Sequence, residues 1–174
     1  MLNFNCVNIL KREGVFALPF KLFVVFIIIL SLCSCTSKTY TPEIKSEFEA
    51  RANVNFDGFT YSCKIIKTEN SVTVQVLDTN ASGLSMKYDG NILTLKTNEF
   101  EDSFTNEKTL PSNPAVALYE ALFSLENAEV RVNKSGYLFT GKVRAGEFEL
   151  LLSRANDIKT ISFSSAKLQF SFTY

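Results

Sequence analysis

The stretch FEARANVNFDGFTYSCKII, Phe48 to Ile66, decides the fold. Phe48, Ala50, Ala52, Val54 and Phe56 share one side of an extended chain, while Glu49, Arg51, Asn53 and Asn55 share the other. A period of two is the mark of a half-buried strand. Asp57-Gly58 then interrupts the pattern with residues that tolerate positive φ, a strong short hairpin signal. Beyond it Phe59, Tyr61, Cys63 and Ile65 resume the alternation. One hairpin with one greasy face cannot stand alone, so the neighbouring sequence must extend the sheet.

The sequence after the hairpin does so. SVTVQVL (Ser71–Leu77) aligns Val72, Val74 and Val76, and a second Asp-Gly, Asp89-Gly90, joins LSMKY to NILTLKT. These segments predict a five-strand antiparallel meander. Asn98 to Asn113 is polar and acidic and predicts a connection without strand character. From Pro114 the period becomes helical, with Ser112 or Asn113 available as cap and Pro114 suited to the first turn. Apolar residues, among them Val116, Leu118, Leu122 and Phe123, surround this helix, interrupted only by Glu120 and Ser124, so it must be enclosed. AEVRVN, GYLFTGKV, FELLLSR and TISFSSAKLQFSFTY follow as further strands, the last dividing near Ser164-Ser165. The expected class is α+β, mainly β: a curved antiparallel sheet of about nine or ten strands, a half-open barrel, with one apolar helix in its concave face.

The N-terminal region has another logic. Lys11, Arg12 and Lys21 precede the wholly apolar run Leu22–Leu30, followed by Ser31, Leu32 and Cys33. Basic, apolar and small residues in that order make a secretory signal, and the run is shorter than the roughly 20 residues a spanning helix needs. Leu32-Cys33-Ser34-Cys35 resembles a bacterial lipobox, with an aliphatic residue three before the cysteine and a small residue directly before it. That resemblance implies cleavage after Ser34 and a thioether diacylglycerol on Cys35. The expected organisation is a signal peptide over 1–34, a lipidated cysteine and polar tether over 35–46, and a β domain over 47–174. The expected location is the extracytoplasmic face of a cell membrane, where two acyl chains anchor durably.

Several function classes are disfavoured. The 174 residues contain no histidine, so the commonest general base and metal ligand is missing. No phosphate-binding glycine loop, nucleophile elbow or Cys/His metal spacing is present. Loss of the leader leaves a charge of about −2, which offers nucleic acid no basic face. No enzyme activity, cofactor or metal is expected. The acids Glu99, Glu101, Asp102 and Glu107 match no calcium loop and read as a solvated connection. Cys63, among apolar neighbours, reads as a buried and inert thiol.

The order of meander, connection with helix, and further strands resembles the LolA/LolB-like fold and the uncharacterised Gram-positive lipoproteins that share it. The stretch DTNASGLSMKYDG keeps Gly83, Leu84 and Asp89-Gly90 of that pattern but lacks its proline, and LPSNPAVALYEAL resembles the approach to the helix. The resemblance spans roughly 47–174, is structural, and transfers no functional residue. Eleven phenylalanines between positions 47 and 174 are an excess for such a domain. Phe59, Tyr61, Leu118, Leu122, Phe148, Phe170 and Phe172 are the candidates for an apolar concavity that holds a lipid or acyl chain. Two readings stay open: these side chains line a pocket, or they fill the core and a protein partner in the envelope is bound elsewhere.

Overall fold

A computed structural model describes Pro42 and residues 44–174. Chain contacts divide the protein into two units, 1–40 and 41–174. The expected signal peptide over 1–34 and the expected lipidation site Cys35 lie outside the described residues.

The β domain is one antiparallel sheet of eleven strands. The first six are β1 (Phe48–Phe56), β2 (Phe59–Lys67), β3 (Val72–Val76), β4 (Ser85–Tyr88), β5 (Ile92–Lys96) and β6 (Glu101–Thr105). After helix α1 (Pro114–Phe123) come β7 (Glu129–Asn133), β8 (Gly136–Val143), β9 (Gly146–Leu152), β10 (Ile158–Phe163) and β11 (Leu168–Thr173). Their spatial order is β6-β5-β4-β3-β2-β1-β11-β10-β9-β8-β7. Two meanders therefore meet where β1 pairs β11, with Val54 opposite Phe170. Every neighbouring pair is antiparallel, so only β6 and β7 are edges, and the chain passes between them through α1.

The deciding hairpin folds as its alternation requires. Ala50, Ala52 and Val54 are buried opposite Ile65, Cys63 and Tyr61. Asp57 and Gly58 both take positive φ, and Asn55 Oδ1 accepts from the Gly58 amide at 3.1 Å. The strand count exceeds the expected nine or ten. TISFSSAKLQFSFTY does divide, into β10 and β11, and the supposed connection holds a further strand, β6. Within Asn98–Asn113 the acids Glu101 and Asp102 belong to β6, Glu107 sits in a single 3-10 turn, and Glu99 lies in the β5–β6 turn. β6 escapes the pattern because it is an edge strand exposed on both sides, with Phe104 its only partly buried residue.

Helix α1 is enclosed, with seven of its ten residues buried. It packs on β3, β4 and β8, bridging the two meanders. Asn113 caps it: its side-chain oxygen accepts from the Ala115 amide at 3.0 Å and the Val116 amide at 3.5 Å, while Pro114 contributes no amide to satisfy. Asn113→Ala is expected to cost about 1 kcal/mol by leaving those buried amides unpaired. Urea unfolding followed by circular dichroism checks this, and a cost near zero would show that water replaces the cap. Among the described residues no helix is long and apolar enough to cross a membrane.

Candidate functional site

The seven concavity candidates divide sharply. Leu118 and Leu122 on α1, Phe148 on β9, Phe170 and Phe172 on β11 and Tyr61 on β2 all enter one buried cluster. Leu118 and Phe170 have no exposed surface at all. Both are packed on all sides by the rest of the cluster. Phe59 is different, at 61% exposed. It shares its face with Tyr61, ring centroids 6.1 Å apart, but stands at the hairpin turn where the core has ended.

Titratable groups in this core are held neutral. Burial pushes the Tyr61 phenol well above its ordinary range. Burial also pushes the Cys63 thiol up to about 12, against a smaller downward pull from a backbone hydrogen bond at Ala52. An inert thiol follows, because the thiolate is the nucleophile. Cys63 should resist alkylation at pH 8 in the folded protein and react after denaturation, as peptide mapping by mass spectrometry would read. Labelling at equal rates in both states would contradict its burial. Above about pH 9 the unfolded thiol releases its proton while the folded one retains it up to about 12. Within that window this group makes stability fall with rising pH.

Helix α1 is also clamped to the sheet by polar contacts. The Arg144 guanidinium pairs with Glu120, and the Arg144 amide donates to Glu120 Oε2 at 3.0 Å. The same guanidinium reaches the Asn106 carbonyl at 3.3 Å and the Tyr88 hydroxyl at 3.4 Å. At the helix end, the Lys67 ammonium stands 4.5 Å from the centre of the Phe123 ring and donates to the Ser46 carbonyl at 2.6 Å. Burial lowers the Lys67 pKa. These contacts join the helix, β4, the β8–β9 turn and Ser46 ahead of β1, which makes α1 a fixed part of the core.

The open site is on the other side of the sheet. Glu129, Thr140, Glu149, Ser162, Gln169 and Asn55 form a single row across β7, β8, β9, β10, β11 and β1, each directly opposite the next. Residues directly opposite in an antiparallel pair share a face. This face is opposite the core, since each row residue is flanked in its strand by core side chains such as Phe139, Phe148, Phe163, Leu168 and Val54. All six residues line a groove of about 900 Å³. The groove carries four carboxylates, Asp57, Glu129, Glu147 and Glu149, and two lysines, Lys142 and Lys167. Lys167 is committed to Asp57 at 2.8 Å. Lys142 stands opposite Glu147. An excess of negative charge therefore remains at the Glu129 and Glu149 end.

Alternation places Asn55 and Gln169 on the polar face of their own strands and marks none of the six as a site. The row runs perpendicular to the chain, so its members are separated in sequence by the length of every hairpin, and no local spacing reveals it.

No protein-family model matches the chain, and no curated protein does. Among solved structures, a chain from the complex of the Clostridioides difficile CwlD amidase with the GerS lipoprotein is similar at 13% identity, with 88% of each chain covered and a TM-score of 0.41. A LolA superfamily protein from Nitrosomonas europaea is similar at 11% identity and a TM-score of 0.38, with 71% of this chain and 65% of that chain covered.

Proposed function

We propose that the chain is an accessory lipoprotein of the cell envelope, non-enzymatic, that binds a protein partner through the outward face of its sheet. The leader 1–34 is removed, Cys35 carries the lipid, and the tether 35–46 presents the β domain on the extracytoplasmic face of the membrane. The observation that carries this reading is the contrast between the two sides of the sheet. The concave side, where an apolar ligand would sit, is occupied by α1 and by Leu118 and Phe170, both without exposed surface. The other side holds an open groove of about 900 Å³. The lack of histidine and of any nucleophile motif supports a binding role over catalysis.

Two measurements test the reading. The full chain, isolated from bacterial membranes, should yield no stoichiometric lipid in an organic extract beyond the acyl chains of its own anchor. A bound lipid at one per chain would overturn the partner-binding reading and return the concavity to the centre. Cys35→Ala should move the protein out of the membrane fraction, and mass spectrometry of the mature N-terminus should find diacylglycerol on Cys35. An unmodified Cys35 would sink the anchor.

A further inference from the structure

We infer that the outward groove docks an extended, cationic polypeptide segment of the partner, laid across the strands along the Glu129–Asn55 row. The inference rests on the proposal that a protein partner is bound on this face, and adds the chemistry of what is bound.

Geometry sets the length. Five inter-strand steps of about 4.8 Å make the row about 24 Å long, which an extended chain rising about 3.3 Å per residue spans with about seven residues. Chemistry sets the composition, and it differs along the row. At the β7–β9 end, Glu129 and Glu149 face Thr140 from either side. Glu129 pairs with Arg131 at 3.6 Å, both side chains about three-quarters exposed. Glu149 has no ion pair among the described residues. Two steps separate these carboxylates, about 10 Å, a distance matched by lysines or arginines two or three residues apart. At the β10–β1 end Ser162, Gln169 and Asn55 offer hydroxyl and amide groups, which donate to and accept from a peptide backbone. Lys167 and Asp57 neutralise each other there. The groove thus asks for a segment that is basic at one end and neutral and polar at the other.

The opposite edge of the sheet differs. On β6, Glu101 is already paired with Lys96 at 2.7 Å, and β6 does not line the groove. Charge there repels strand addition at an edge and supplies an internal control.

The test uses the full chain in detergent micelles and a fluorescein-labelled Lys-Ser-Lys-Ser-Ser-Ser-Ser peptide, read by anisotropy. Saturable binding is expected, weakening steadily from about 0.05 to about 0.5 M salt as surface charges are screened. Glu129→Gln with Glu149→Gln should weaken it about tenfold, in line with two exposed charge pairs lost. Glu101→Gln with Asp102→Asn should leave it unchanged, as should Phe59→Ala. No saturable binding, or an equal loss in the β6 control, would overturn the inference. Equal affinity for spermine would also overturn it, because the groove would then take free polycations without reading a backbone. A lipid-free extract together with failed peptide binding sinks this inference alone, whereas a stoichiometric lipid sinks the function on which it rests.

Discussion

Gly136→Ala is expected to destabilise the domain by about 4 kcal/mol, the sum of a strained backbone and an unavoidable overlap. Gly136 opens β8 at φ 149°, directly after the tight β7–β8 turn. Asn133 builds that turn, its side-chain oxygen accepting from the Ser135 amide at 2.9 Å and the Gly136 amide at 2.8 Å. A Cβ at Gly136 would stand 1.8 Å from the Leu152 carbonyl oxygen. That oxygen belongs to the backbone of β9, so it cannot swing aside as a side chain would, and relief must come from the β8–β9 ladder itself. Gly83 provides the comparison: its φ is also positive, at 90°, but an added Cβ meets nothing within 4 Å. Gly83→Ala should therefore cost only the conformational penalty, about 1 kcal/mol. Chemical denaturation followed by circular dichroism separates the two. Equal costs would mean that the β7–β8 turn relaxes freely, and β8 would then be a loose support for Thr140 in the groove.

What the sequence made legible follows from which faces are buried. Strands β1 to β5 and β8 to β11 announce themselves because one side is apolar, and α1 because nearly its whole circumference is. β6 stays hidden, since an edge strand with neither side covered has no reason to alternate. β7 shows the opposite case: Val130 and Val132 alternate with charged residues, yet Val132 is 61% exposed. Periodicity reports the capacity to bury a face, while the sheet's extent decides whether the face is covered. Phe59 follows the same rule: it stands on the face its alternation assigns, one step beyond the end of the core. The aromatic excess illustrates a different limit. Filling a concavity and lining one require the same side chains, and only the packing of Leu118 and Phe170 separates the two. The outward groove was invisible on stronger grounds, because it is written in register between strands, which no single stretch of sequence contains.

Leu118→Ala is expected to cost about 3 kcal/mol and, more tellingly, to open an apolar cavity in a core that Leu118 now fills. Leu118 sits on the buried side of α1 and has no exposed surface. Truncation removes the transfer energy of the lost atoms and leaves a cavity that close-packed neighbours close only in part, a cost of about 2–5 kcal/mol. The surroundings restrict collapse, because α1 is tethered by Arg144 to Glu120 and by Lys67 beneath Phe123. A void opened inside this apolar cluster stays dry and accepts small apolar molecules. Benzene should then raise the thermal midpoint of Leu118→Ala in a concentration-dependent way, as linkage requires of a ligand that binds only the folded state. The native protein should show no such shift. Should benzene stabilise both proteins alike, the concavity would already have room, and the filled core that argues for an outward-facing partner would be lost. Should the variant unfold outright, Leu122→Ala nearer the helix end provides the milder truncation, since Leu122 keeps 6% of its surface exposed and its site can open toward solvent. A shift confined to the truncated proteins would fix the role of α1: it completes the hydrophobic core between the two meanders, and leaves recognition to the side of the sheet that faces away from it.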